Sequence, residues 1–173
     1  MNDNHPSDKE KCGLVTEYER LFLPLKDKPI KYLEIGIYYG GSLLWARDYF
    51  LKGSTIQGID INIISEPIED VEMFIIDQND KEGLTDFGKQ YGEFDIIIDD
   101  GSHTAPLTEN TFNSLYPYLK KGGFYIIEDW GAGYYPQWPH CKGMEKLVTD
   151  LVWKYGGSVN RPLKGGSYAI ILK

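Results

Sequence analysis

Apolar residues along this chain gather into short compact runs, separated by longer stretches whose apolar positions recur at a helical spacing. The runs are KYLEI at 31–35, TIQGI at 55–59, VEMFII at 71–76, FDIIID at 94–99, GFYIIE at 123–128 and SYAIIL at 167–172. Several show no polar alternation, as strands covered on both faces of a parallel sheet require. Helices are predicted over 41–52, 81–90, 106–120 and 142–155, with a short leading helix over 16–25 ended by Pro24. The SVN segment at 158–160 predicts one more strand, turning through RPLKGG into the last as an antiparallel hairpin.

Strands alternating with helices predict an α/β fold, a doubly wound, mostly parallel seven-stranded sheet with helices on both faces. In such a fold the ligand crevice lies beyond the carboxyl ends of the strands. Residues 1–12 are polar and predict a flexible N-terminus, which leaves 13–173 as a single domain.

Composition narrows the function classes. The chain has 173 residues, 42% of them hydrophobic, with 13 Tyr, 7 Phe and 4 Trp, which is more apolar matter than a disordered chain carries. Its formal net charge of −8 gives no general attraction to nucleic acid or anionic lipid, so neither is expected as a partner. The opening MNDNHPSDKEK does not read as a signal peptide, and no apolar run approaches the roughly 20 residues of a membrane span. A cytoplasmic protein is the expectation. Cys12 and Cys141 lie in no CxxC pair, so neither a zinc site nor a disulfide is expected.

The first strand runs through Glu34 into Gly36, then Tyr38, Gly40 and Ser42 before a long helix, a backbone that lets a ligand approach closely. A dinucleotide fingerprint would need glycine where Tyr38 stands, and no phosphate-binding loop with its lysine is present, so dinucleotides and nucleoside triphosphates are disfavoured. Asp60 ends the second strand where a carboxylate can accept from ribose hydroxyls. Asp77 and Gln78 end the third, within the chemistry of an adenine amine. An adenosyl ligand without phosphates fits, S-adenosylmethionine above all, with Glu34 near its ammonium group. The residues alone leave open a structural glycine turn and, for Asp60, a solvated strand end.

FDIIIDDGSH ends a strand at Asp99 and Asp100, with His103 three residues further, and GGFYIIEDW ends the next at Glu128 and Asp129. If these two strands are neighbours their ends lie about 5 Å apart and the acids converge, ordinary solvated loop residues being the other reading. Close carboxylates repel, and a divalent cation relieves them: Asp100, Glu128 and Asp129 are hard oxygen donors suited to Mg2+, with Mn2+ as the chemical substitute. Strand alternation directs Asp99 elsewhere. His103 carries an imidazole, the side chain most often used as a general base on a hydroxyl, with a capping or exposed role, or a ligand role, as the other readings. Trp130, Tyr134, Tyr135 and Trp138 either wall an organic acceptor or pack their loop onto the sheet.

Together YLEIGIYYGGSLLWARDYF, GIDIN, FDIIIDDGSH and FYIIEDW resemble the class I S-adenosylmethionine-dependent methyltransferases. More narrowly, the second half resembles the metal-dependent macrolide sugar O-methyltransferases of the mycinamicin and demethylmacrocin type. The resemblance covers residues 14–173 and implies a Rossmann-like fold and methyl transfer to a hydroxyl of a small organic or sugar-containing natural product. It also implies magnesium on Asp100, Glu128 and Asp129, with His103 as base. Relatives often place a histidine before the first strand, whereas DKEKCGLVTEYERLF has none and offers Tyr18. Better-studied members add an N-terminal domain, whereas almost nothing precedes the sheet here; the exposed aromatics and the missing lid are consistent with a homodimer. The rival readings are a metal-independent small-molecule methyltransferase, a non-catalytic adenosyl-binding or assembly module, and an NAD-dependent oxidoreductase disfavoured by Tyr38.

Overall fold

Each compact apolar run forms a strand in the computed structural model, which describes residues 7, 9–63, 66–160 and 166–173. In chain order these are β1 (Lys31–Ile35), β2 (Thr55–Asp60), β3 (Val71–Ile75), β4 (Phe94–Asp99), β5 (Leu119–Glu128), β6 (Gly157–Asn160) and β7 (Tyr168–Leu172). The helices are α1 (Leu14–Leu21), α2 (Gly41–Tyr49), α3 (Lys81–Tyr91), α4 (Ala105–Leu115) and α5 (Met144–Tyr155).

One seven-stranded sheet has the order β3-β2-β1-β4-β5-β7-β6. Pairings among β1 to β5 are parallel, while β7 runs antiparallel to β5 and β6. The expected hairpin therefore forms, its RPLKGG turn falling largely outside the described residues. Because β1 and β4 are neighbours while their connections leave in opposite directions, the strand order reverses between them and opens a crevice at their carboxyl ends.

Alternation along each strand divides the core in two. Leu33, Ile35, Ile97, Tyr125 and Ile127 pack with Leu84 and Phe87 of α3, Phe112 of α4 and Val148 of α5. On the opposite face Tyr32, Ile96, Ile98 and Ile126 pack with Leu14 and Tyr18 of α1 and with Leu43, Trp45 and Ala46 of α2. Full burial of each such large side chain is worth about 1.5–3 kcal/mol, so both helical layers are needed to close the sheet.

Three boundaries depart from the pattern. The predicted helix over 106–120 stops at Leu115 because Pro117 cannot donate the next ladder bond, and a single tight turn, Tyr116–Tyr118, follows. β5 begins at Leu119 and carries an irregularity against β4 between Phe94 and Ile96 before it regains register. The leading helix ends at Leu21, and Leu23–Leu25 form a separate turn around Pro24. Within the stretch expected to be flexible, residues 9–12 form turns and Lys9 is 5% exposed. No helix among the described residues is long and apolar enough to cross a membrane, and no disulfide joins Cys12 to Cys141.

Candidate active site

Register explains which acids meet. Glu34 of β1 pairs with Ile98 of β4, and Ile127 of β5 pairs with Asp99, which brings Asp100 level with Glu128 just beyond the ladder. Positions two apart share a face, so Glu34, Asp100 and Glu128 project to the side covered by α1 and α2. Asp99 projects to the other side.

The acids gather around Asp100 in two trios, each with one oxygen or nitrogen per residue within 4.8 Å of the others. Glu34, Asp100 and Glu128 form an inner trio whose two glutamates are buried; Asp100, His103 and Asp129 form a half-buried outer one. The ligand set read from sequence is thus split: Glu128 lies in the inner trio, Asp129 in the outer and Asp100 in both. Asp129 leaves the strand direction through a left-handed backbone at φ 51°, and His103 lies at φ 53°. Its Nε2 is 3.9 Å from Asp100 Oδ1.

A cation already sits in the inner trio. The Lys9 ammonium donates to Asp100 Oδ2 at 2.5 Å and to Glu128 Oε1 at 2.6 Å, and lies 3.3 Å from Glu34 Oε1. Tyr18 of α1 donates to Glu128 Oε1 at 2.8 Å, and Ser42 donates to Glu34 Oε1 at 2.7 Å. Burial alone would lower the Lys9 pKa, but attraction to Asp100, Glu128 and Glu34 outweighs it and holds the ammonium charged. Burial, then the charge of Asp100, push Glu128 up to about 8. Burial likewise raises Glu34. Three acids facing one ammonium remain short of positive charge.

The glycine-bearing turn lies against the same acids. Gly36 has φ +94°, and a Cβ there would run into the carbonyl of Asp100. Gly40, also left-handed at 77°, caps α2. Asp60 Oδ2 accepts the backbone N–H groups of Ile37 at 2.7 Å and Tyr38 at 3.3 Å, so it shapes the turn from below. Asp77 is exposed and accepts from the Asn79 amide at 2.8 Å. Gln78 is committed more fully: its Nε2 donates to Asp99 Oδ1 at 3.0 Å and Thr111 Oγ1 at 2.9 Å, and its Oε1 accepts the Ser102 N–H at 2.8 Å. It holds the Gly101–His103 loop from behind rather than offering its amide to a ligand. Burial lifts Asp99, on that hidden side, to about 7.

In the aromatic loop, Trp130 is buried and donates to the Asn160 carbonyl, while Tyr134, Tyr135 and Trp138 are exposed. A cavity of about 280 Å³ runs between α1 and α2, lined among others by Lys9, Tyr18, Tyr32, Ser42, Trp45 and Tyr49.

The chain matches no family model. Over 127 residues, 69% of this chain, it is 38% identical to demethylmacrocin O-methyltransferase of Streptomyces fradiae. Over 141 residues, 76% of this chain, it is 36% identical to an 8-demethyl-8-alpha-L-rhamnosyl tetracenomycin-C 2'-O-methyltransferase of Streptomyces olivaceus. The matched stretches cover 32% and 37% of those proteins, so this chain spans about a third of the length of the curated relatives it matches. The solved MycE methyltransferase from the mycinamycin biosynthetic pathway, in complex with Mg, SAH and mycinamycin VI, superposes with a TM-score of 0.71 at 29% identity. That match takes in 89% of this chain and 48% of MycE. The chain has a class I methyltransferase fold.

Within this methyltransferase fold the sequence pointed to the strand-end acids, the glycine turn and His103, and the tertiary structure places them at one crevice. Lys9 and Tyr18 reach the same acids without a local motif to announce them. Lys9 stands in a polar stretch, DKEK, that resembles a solvated tail. In sequence Tyr18 offers only an aromatic ring; its buried hydroxyl on Glu128 follows from α1 packing across the sheet. Glu34, expected near a cofactor ammonium, also belongs to the acid cluster.

Proposed function

We propose that this chain transfers a methyl group from S-adenosylmethionine to a hydroxyl of a small, sugar-containing acceptor, with a divalent metal beside it. The observation that carries the reading is the meeting of Asp100 with Glu128, Asp129 and His103 at adjoining ends of β4 and β5, next to the Gly36–Ser42 turn. The relatives named for sugar O-methylation, and MycE with its Mg and SAH, support the same assignment.

The donor chemistry fits a metal: carboxylate groups, with Asp100 common to two trios and the inner trio already gathered around a positive charge. Asp100, Glu128 and Asp129 would hold Mg2+ or Mn2+. The metal, when bound, supplies Lewis acidity that lowers the pKa of an acceptor hydroxyl, and the sulfonium supplies an electrophilic methyl. The chain does the rest by position. Glu34 and Ser42 line the ammonium end of the cofactor crevice, Gly36 and Gly40 admit its backbone-close approach, and Asp60 and Asp77 face its nucleoside end. Gln78 acts at one remove by fixing the Gly101–His103 loop. His103 takes the hydroxyl proton as the oxygen attacks. No covalent enzyme intermediate is required.

Turnover with glycosides bearing adjacent hydroxyls, read as S-adenosylhomocysteine formed, should vanish on chelation and return with Mg2+, while calorimetry shows S-adenosylmethionine binding largely retained. Turnover unaffected by rigorous metal removal favours the metal-independent reading. A non-catalytic adenosyl-binding module draws on one observation, the ammonium already inside the inner trio; sustained metal-dependent turnover eliminates it.

A further inference from the structure

Lys9 has no part in the chemistry above, yet it is the best-held cation of the described residues. Its side chain is 6% exposed and engages three carboxylates from three different strand ends. Two of those, Asp100 and Glu128, are the residues that the proposed function assigns to a metal. We infer that Lys9 is an internal competitor for the metal position, an ammonium plug that must leave Asp100 and Glu128 before a divalent cation can take both.

At the centre of the inner trio the two cations compete. Asp100 Oδ2 and Glu128 Oε1 each lie within hydrogen-bond distance of the same nitrogen, and Glu128 Oε1 also accepts from Tyr18, so the oxygens turned toward the centre of the trio are engaged. A metal ion and an ammonium cannot occupy that centre together. Charge favours the exchange in the presence of metal: one ammonium faces three acids, and a divalent ion offsets more of their repulsion at shorter range. The means of withdrawal is local. Residues 9–13 are turns: Gly13 N–H to the Glu10 carbonyl at 3.2 Å closes the segment on itself, and Val15 N–H to the Lys9 carbonyl and Glu17 N–H to the Gly13 carbonyl, both at 3.3 Å, join it to α1. Lys9 also lines the cavity between α1 and α2, so its departure would join that cavity to the acid trio. The plugged form satisfies the buried acids when no metal is present, which stabilises the empty crevice against charge repulsion.

The inference rests on the metal reading, and the test separates the two. Binding of Mn2+ alone to the full chain, without cofactor, is measured by electron paramagnetic resonance for the wild type, Lys9→Met and Lys11→Met. If the plugged form makes up about nine-tenths or more of the metal-free protein, Lys9→Met binds Mn2+ at least about tenfold more tightly. Lys11→Met removes the same charge from an exposed position and shifts the affinity by less than about twofold. In the wild type, saturating Mn2+ should also speed hydrogen exchange at the Gly13 and Val15 amides, a readout that stands even if Lys9→Met fails to fold. Equal or weaker Mn2+ binding by Lys9→Met overturns the plug, as does unaltered exchange at those amides in the metal-saturated wild type. Absence of Mn2+ binding in every variant overturns the metal reading itself and the plug with it.

Discussion

Gln78 and Ser102 are joined by a 2.8 Å bond from the Ser102 amide to the Gln78 side-chain oxygen, which ties the end of β3 to the loop that carries Asp100 and His103. The same side chain donates to Asp99 and Thr111, so one buried amide fixes three elements. Gln78→Leu keeps the volume and leaves these partners unsatisfied. The expected cost is about 1–3 kcal/mol in urea unfolding, together with a drop in turnover from a loosened loop. Unchanged stability would show that water replaces the amide at no cost.

Gly36 has no room for a side chain. Its φ of +94° and the nearby Asp100 carbonyl mean that Gly36→Ala must push apart the ends of β1 and β4, where the crevice opens. Strain of this kind costs roughly 1–3 kcal/mol. Thermal unfolding should show the loss, and calorimetry should show weaker S-adenosylmethionine binding than in the wild type.

Asp99 predicts a pH dependence with a definite sign. Burial raises its folded pKa to about 7, against about 3.9 in an unfolded chain. Between these values the folded state holds the extra proton, so its contribution to stability is full below about pH 4 and is lost as pH rises to about 7. The slope approaches about 1.4 kcal/mol per pH unit in that window. Asp99→Asn removes it. Urea midpoints of metal-free wild type and variant, compared from pH 4 to 8, should converge at the acid end and separate in favour of the variant toward neutrality.

His103→Gln retains a hydrogen-bonding side chain of similar reach and removes the base. Turnover should fall by about 10²–10⁴-fold, with S-adenosylmethionine and Mn2+ binding little changed. Near-normal turnover would reassign proton removal to another group.

Tyr18→Phe deletes the hydroxyl that meets Glu128 and leaves the ring packed against Phe22 and Trp45. A loss of about 0.5–1.5 kcal/mol is expected, because the buried Glu128 carboxyl loses one of its two donors and keeps the Lys9 ammonium. Denaturant unfolding checks it, and an intact near-ultraviolet spectrum would show that the aromatic packing is preserved.

Much of the fold was legible because its signals are local. Unalternating runs such as FDIIID and GFYIIE are what burial on both faces demands, and the acids that end them mark the carboxyl end of a sheet regardless of what the sheet is built into. Alternation alone separated Asp99 from Asp100, and the structure puts them on opposite faces with different partners. Boundaries were less legible at α4, where Pro117 cuts the helix five residues before the periodic pattern fades.

The order of elements, the chemistry at each strand end and the glycine turn were therefore determined by sequence, since period and residue type act over a few neighbouring positions. Tertiary structure decided the rest: that the reversal of strand order falls between β1 and β4, that Asp100 is shared by two trios, and that Gln78 is spent on a loop. It also decided that Lys9 meets Glu128 from 119 positions away. No pattern along a chain encodes which buried acids a distant ammonium will neutralise, because that choice is made by the closing of the sheet and the helix laid across it.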